Sequence, residues 1–348
     1  MDVSLVLVAH RSATVAEAAV ASFRCEAARP AVTSEVVIVD HSEDPAEAAR
    51  LQPLAPERLL VLPNRGYAAG VNAGVAASRG GVVLVGNPDI VFGEGSVAAL
   101  LAALGTGWDI VGPQFHLGAF LLPPADLQTP ADELRRWRAG RSRAGWAHYL
   151  TRETARWQAV WGARDPVALP TLSGALLAFR RATFDRVGAW DERYFLYFEE
   201  MDWLRRAGRG GLRAAQVPGA RVEHRWGHAA DPAAMAGQIR ASRRRFFRAH
   251  FPLRGRLVTA LGPPRTPPRP QPFSSAAGAA TAGEALWLLS PTGLGFPAAG
   301  FAGSREEFLV AAQELARVVA RPGPYVVVAL ESASGALRGP WSWESADG

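Results

Sequence analysis

The chain is predicted to be an α/β protein: a mainly parallel central sheet flanked by helices, with a small C-terminal module appended. Three observations predict it. Within the first 115 residues, short runs of β-branched residues and leucine alternate with helix-like stretches, the pattern of right-handed βαβ units. Those runs are apolar throughout rather than alternating, as in strands buried on both faces. A proline-rich run, GPPRTPPRPQPF, then follows Leu261 and sets apart a last strand–helix–strand pattern.

Val3 to Ala9 reads as the first buried strand, and alanine-rich Thr14 to Cys25 as a helix. EVVIVD (Glu35 to Asp40) is a second strand that ends on an acid, and Arg58 to Leu62 a third. Tyr67 to Ser78 has helical spacing, and GVVLVG (Gly81 to Gly86) is a fourth strand. Ligands of such sheets bind beyond the carboxyl ends of the strands, where His10, Asp40 and the turn Asn87-Pro88-Asp89 fall. Residues 120–168 change character, with four tryptophans among eight arginines. One or two helices over the site face are expected there, either packing their tryptophans inward or meeting an acceptor or a membrane. The principal domain is thus read as 1–230 with this insert, followed by a basic helical segment over 231–261 and a linker over 262–283. The terminal module, 284–348, carries a strand (Ala285 to Leu289), a helix (Ser304 to Ala320) and a strand (Tyr325 to Leu330), with no recognisable catalytic constellation. Ser304 and Glu307 have the spacing of a capping box.

Composition narrows the chemistry. The 348 residues are 49% apolar and 20% charged, as in an ordinary globular protein. No run reaches the roughly 18 apolar residues that would span a bilayer. MDVSLVLVAH lacks a basic region and a cleavage site, so it reads as a strand and not as a signal peptide. The single cysteine, Cys25, excludes an intrachain disulfide and fits a reducing, cytoplasmic compartment. All 38 basic residues are arginine, which excludes a P-loop lysine, a Schiff-base lysine and a lysine general base. Residues 240–256 hold seven arginines and no acid, with Phe246, Phe247 and Phe251 interleaved. This segment is either a solvated helix face or a surface for lipid or nucleic-acid phosphates.

Four clusters carry chemistry. Asp40, just past a buried strand, suits a ribose hydroxyl or a base edge, although an acid there also caps turns. In NRGYAAGVNAG, Asn64 to Gly74, the glycines are spaced by four, so this is not the dinucleotide fingerprint. Gly66 permits a tight turn, Gly70 and Gly74 allow close approach on one helix face, and Asn72 offers a donor and an acceptor to a ligand. Asp89, on a rigid turn with Asn87, suits a magnesium or manganese ion that binds phosphate oxygens, or is simply a turn. The fourth cluster is Glu199, Glu200 and Asp202 behind an aromatic run. Burial makes a carboxylate a better base, suited to deprotonating a hydroxyl; acids in a first turn also gain about 0.3–1 kcal/mol from the helix dipole. Downstream, Gly227 argues against a helical zinc pair of His224 and His228, leaving His224 to complete a metal or diphosphate shell.

In their order, VDHSEDP, NRGYAAGVNAG, LVGNPDI, LSGALLAFRRATFDRVGAWDERYFLYFEEMDW and VEHRWGHA resemble the family 2 glycosyltransferases, in particular their rhamnosyltransferase-like branch. The likeness runs from residue 3 to about 255, outside the insert and the terminal module. It implies a GT-A fold over the principal domain, a dTDP-, UDP- or GDP-linked sugar donor, Mg2+ or Mn2+, and inversion at the anomeric carbon. On the donor side it implies His10, Asp40, Asn64, Gly66, Asn72, Asn87 and Asp89, with Asp89 and His224 on the metal. Glu200 becomes the catalytic base, with Glu199 and Asp202 beside it. Ser173, Gly174, Trp190, Asp191 and Glu192 are expected to shape the sugar and acceptor pocket. Two positions depart from the family pattern. The base position of its Glu-Asp-x-Asp string holds glutamate here, moving the carboxylate on the order of an ångström, and the common asparagine after Asp40 is His41. The implied acceptor is a glycan or lipid-linked sugar, with segment 240–256 suited to peripheral contact at the inner membrane face. A sugar-nucleotide-binding scaffold without turnover is the alternative from another class. A nucleotidyltransferase would need a basic glycine-rich loop that His10-Arg11-Ser12-Ala13 does not supply.

Overall fold

A computed structural model describes residues 1–125, 128–225, 232–255, 270–273, 283–319 and 324–344. The chain begins with β1 (Val3–Ala9), α1 (Ala13–Ala28), β2 (Ser34–Asp40), α2 (Pro45–Leu51), β3 (Arg58–Val61) and α3 (Tyr67–Ala77). Next come β4 (Val82–Gly86), β5 (Ile90–Phe92), α4 (Ser96–Gly105), β6 (Ile110–Leu117) and β7 (Phe120–Leu121). After α5 (Pro130–Ala139) and α6 (Arg143–Trp161) stand β8 (Val167–Ala168), β9 (Leu176–Arg180), α7 (Arg181–Val187), α8 (Glu199–Arg209), β10 (Ala214–His224) and α9 (Pro232–His250). The last elements are β11 (Gln271–Pro272), β12 (Ala285–Ser290), β13 (Ala299–Gly303), α10 (Arg305–Val319), β14 (Tyr325–Glu331) and β15 (Leu337–Trp343). Two compact units result, one formed chiefly by 1–114 and 163–250, the other by 115–123, 128–162 and 251–348.

In the first unit the strands run β3-β2-β1-β4-β9-β6. The pairs among β3, β2, β1 and β4 are parallel, and β9 is inserted antiparallel between β4 and β6. All seven residues of β1 are buried, as its unbroken apolar run predicts. Strand β1 has β2 on one side and β4 on the other, so the topological switch point falls at its carboxyl end. A Cβ on Gly70 would come within 2.6 Å of Val8 Cγ1, and one on Gly74 within 2.2 Å of Val6 Cγ1. These two glycines therefore serve the seating of α3 on the sheet. Val6, Val8, Val71, Val75, Phe179, Trp190 and Trp203 share the core on that face.

The second unit brings the tryptophan-rich insert together with the C-terminal strands. Strands β13, β12, β14 and β15 form an antiparallel meander. Trp146, Tyr149, Leu150 and Trp157 of α6 bury against Leu288, Leu294, Phe296, Val326 and Val328. The Trp146 indole N–H donates to the Leu294 carbonyl at 3.0 Å, so this ring is both packed and hydrogen-bonded. Ser304 and Glu307 form the capping box that their spacing predicts, at 2.8 and 3.3 Å. Most of the proline-rich linker lies outside the described residues, as does His228.

Candidate active site

The carboxyl ends of β1, β2 and β4 bring the expected nucleotide-side residues to one edge of the sheet. Asp40, the last residue of β2, is fully buried. Its Oδ1 accepts from the Ser42 N–H at 2.8 Å, while Oδ2 is buried without a protein partner. An unsatisfied buried carboxylate oxygen costs free energy, and a ligand hydroxyl or imino group would satisfy it. The His10 Nδ1 meets the His41 carbonyl at 2.9 Å. A carbonyl only accepts, so that nitrogen carries a proton. Burial holds the His41 pKa below the ordinary histidine value, with Asp40 partly opposing the shift. Asn64 closes its turn by accepting the Gly66 N–H on Oδ1 at 3.1 Å. Gly66 has φ +97°, and a Cβ there would stand 2.4 Å from the Phe195 carbonyl oxygen. That carbonyl accepts the Tyr67 N–H at 2.8 Å, stapling the start of α3 to the loop before α8.

Asp89 and His224 meet across the antiparallel β5–β10 pair, in which His224 is in register with Ile90. The His224 Nε2 stands 3.4 Å from Asp89 Oδ1, and the Arg225 N–H donates to the Asp89 carbonyl at 2.9 Å. Asp89 Oδ1 is buried and accepts no hydrogen bond. One carboxylate oxygen and one imidazole nitrogen fit a magnesium or manganese ion that takes its remaining ligands from diphosphate and water. Among the described residues, no group of three or more His, Cys, Asp or Glu side chains is gathered for a metal. Asn87 shares this edge through its N–H, which donates to the Ala175 carbonyl at 3.0 Å.

The acidic cluster begins α8, and what precedes it is unusual. Tyr197 and Phe198 have φ +63° and +73°, the left-handed region that bulky residues rarely hold. Such positions cost on the order of 1–3 kcal/mol each and gather where a site requires them. They turn the chain so that Glu199 and Glu200 enter the protein at the start of the helix. Burial, followed by the neighbouring charge of Glu200, raises the Glu199 pKa well above its ordinary value. Burial also raises that of Glu200, with backbone N–H groups of Glu200, Met201 and Phe198 opposing. The Oε2 atom of each is buried without a hydrogen bond. A Cβ on Gly174 would approach Glu200 Cγ to 3.2 Å, so glycine at 174 leaves room for that side chain.

Tyr67, absent from the sequence-derived set, ties these parts together. Its hydroxyl donates to the Gly174 carbonyl at 3.1 Å. Burial and then the charges of Glu199, Glu200 and Asp89 push its pKa well up, so it stays a neutral donor. Its signal in the sequence was its place directly after the Gly66 turn.

Two of the expected residues have protein partners. Asp202 is buried and hydrogen-bonded on both oxygens. Its Oδ1 accepts from His250 Nε2 at 2.7 Å and its Oδ2 from Arg206 Nε at 2.9 Å. Burial would raise its pKa, but the hydrogen bonds from His250 and Arg206 hold it below the ordinary carboxylate range. Asn72 turns its amide to the Trp190 backbone. Trp190 is buried, stacked on Trp203 at 5.8 Å and edge-on to Tyr67 at 6.1 Å. Glu192 is held by Arg65 at 3.0 Å and by Asn72 at 3.1 Å, and Asp191 by Arg193. Ser173 Oγ accepts the Ala175 N–H at 3.3 Å, shaping the turn that presents Gly174.

The chain is 33% identical over 218 residues to the N-acetylglucosaminyl-diphospho-decaprenol L-rhamnosyltransferase of Mycobacterium tuberculosis, in strains H37Rv and CDC 1551 alike. The alignment covers 57% of this chain and 69% of the relative. No protein-family profile matches. A partial structural likeness extends to the mannosyltransferase PcManGT from Pyrobaculum calidifontis in complex with GDP-Man and Mn2+, at 17% identity and TM-score 0.47, over 71% of this chain and 64% of that one. GalNAc-T7 with UDP, GalNAc and Mn2+ gives 15% identity and TM-score 0.47, over 72% of this chain and 51% of that one. S. aureus TarS gives 13% and 0.43, over 70% and 39%.

Proposed function

Because the chain belongs to the family 2 glycosyltransferases, in their rhamnosyltransferase-like branch, we propose that it transfers a sugar, rhamnose first among the candidates, with inversion. The donor is a dTDP-, UDP- or GDP-linked sugar and the acceptor a hydroxyl of a glycan or lipid-linked sugar. Glu200 takes the acceptor proton while the acceptor oxygen forms its bond to the anomeric carbon. The bond to the nucleoside diphosphate breaks with its electron pair, and Glu200 ends protonated. The observation that carries this reading is the Glu200 carboxylate, of raised pKa, packed against Gly174, whose carbonyl accepts the Tyr67 hydroxyl. A raised pKa keeps a carboxylate basic enough to accept a hydroxyl proton as it is released.

Asp40 would take the nucleotide on its unpaired Oδ2, with His10 and the Asn64–Gly66 turn beside it. Asp89 and His224 would hold Mg2+ or Mn2+, which when bound supplies positive charge to the departing diphosphate. Trp190, Asp191 and Glu192 would wall the sugar and acceptor pocket. Glutamate at position 200 reaches farther than aspartate would, and Gly174 makes the room for it.

A peripheral position at an anionic inner membrane face goes with this reading. Arg240, Arg244 and Arg248, four apart on the exposed side of α9, form a stripe worth about 1 kcal/mol per arginine at such a surface. Among the described residues no helix is long and apolar enough to cross a membrane. The deciding experiment incubates the protein and MnCl2 with each sugar nucleotide and a polyprenyl-diphosphate-linked amino sugar. Transfer or slow donor hydrolysis supports the enzyme. Donor binding without turnover across the whole panel would make the chain a sugar-nucleotide-binding scaffold.

A further inference from the structure

Helix α9 turns Ser242, Phe246 and His250 onto the segment that ends in the acid pair. They are spaced by four and therefore share one helix face, and all three are buried. Ser242 Oγ donates to the Leu196 carbonyl at 3.0 Å. The Phe246 ring packs on Phe198, centroid to centroid 5.5 Å, and His250 Nε2 donates to Asp202 Oδ1 at 2.7 Å. The three contacts fall just before, within and just after the stretch Tyr197 to Glu200. That stretch holds both left-handed aromatic residues and both acids of raised pKa.

A turn of this kind gains from support outside itself. Tyr197 and Phe198 each prefer another backbone conformation; backbone N–H groups of the turn bond the two carboxylates, but Glu199 Oε2 and Glu200 Oε2 have no hydrogen bond. Helix α9 adds support from outside the turn, gripped to both of its ends. We infer that α9 is a positioning element, in which Ser242 and His250 hold the left-handed turn that aims Glu200. Neither side chain needs to touch substrate. On the function proposed above, they set turnover and leave donor affinity alone, because their contacts are made to the acid segment and not to Asp40, Asp89 or His224.

The test uses the full-length chain carrying Ser242→Ala, His250→Ala or His250→Gln. Hydrogen exchange of the amides from Tyr197 to Asp202, measured without ligand, is expected to quicken tenfold or more in Ser242→Ala and His250→Ala. It should return to within about threefold of the parent in His250→Gln, whose amide N–H can still donate to Asp202. With donor and acceptor, kcat should fall at least tenfold in the two alanine variants, while the Kd of UDP or dTDP with MnCl2 stays within twofold. Unchanged exchange across 197–202 in folded variants would overturn the inference, and so would a parallel loss of nucleotide affinity and kcat. The exchange readout needs no substrate, so it separates failure of this clamp from failure of the proposed reaction.

Discussion

The Asn72 side chain holds the Trp190 backbone on both of its polar atoms: Nδ2 donates to the Trp190 carbonyl at 2.9 Å, and Oδ1 accepts the Trp190 N–H at 2.9 Å. A side-chain amide here completes what a neighbouring strand would supply. It fixes the loop of Trp190, Asp191 and Glu192 to α3, and through α3 to the sheet.

Replacing Asn72 by alanine leaves two backbone groups of Trp190 without partners. Each lost bond costs about 1–3 kcal/mol where water cannot replace it. Asn72→Ala should therefore lower Tm by about 2–4 °C for each kcal/mol lost, and raise the acceptor KM more than the donor KM. An unchanged Tm would show that the loop is held elsewhere.

Glu200→Gln should lower turnover by about 10²- to 10⁴-fold, the range for loss of a general base, with nucleotide binding kept. The same change should raise Tm at neutral pH. A carboxyl whose folded pKa is raised contributes its stability only below its unfolded value and loses it as pH rises through the folded one. At neutral pH the Glu199–Glu200 pair therefore weighs against folding. Scanning calorimetry beside a turnover assay reads both effects, and a variant that keeps its rate would pass the role of base to Glu199.

The acid limb of the kcat profile should lie above the ordinary carboxylate range, because the base must be ionised and burial raises its pKa. Asp202 works in the opposite sense. Its folded pKa is depressed, so the stability it contributes is present above its unfolded value and is lost as pH falls through the folded one. Activity should thus be lost on acidification before the fold is. Coincident loss of kcat and of far-UV circular dichroism would contradict this.

Asp89→Asn should abolish the dependence of nucleotide binding on manganese. In thermal shift, the parent with MnCl2 and a nucleotide at 100 times its Kd gains about 2.7 kcal/mol. The variant should show the same shift with and without the metal. A manganese-dependent gain that survives would assign the ion to other residues.

The strands of the first unit and their carboxyl ends were legible because burial on both faces leaves an unbroken apolar run, and that run locates Asp40 and Asp89 directly. The acid pair was legible from its aromatic surroundings. Side-chain destinations were not. Asn72 and Trp190 are 118 residues apart, Tyr67 and Gly174 are 107 apart, and His250 and Asp202 are 48 apart. Local periodicity carries no information at such separations, so an asparagine suited to a ligand and one suited to a backbone look alike. For the same reason the bonds of Asp202 to His250 and Arg206 are not legible in the sequence. Trp146 and Leu294, 148 residues apart, likewise share a core that spacing alone does not announce.

The left-handed pair at Tyr197 and Phe198 also says where selection for heat tolerance would lead this chain astray. Glycine in place of the exposed Tyr197 would relieve a backbone that L-residues resist, and a screen that scores survival at high temperature would reward it. The same glycine would leave the approach to Glu199 and Glu200 looser in every other conformation it admits, so heat tolerance and a fixed acid pair would pull position 197 in opposite directions.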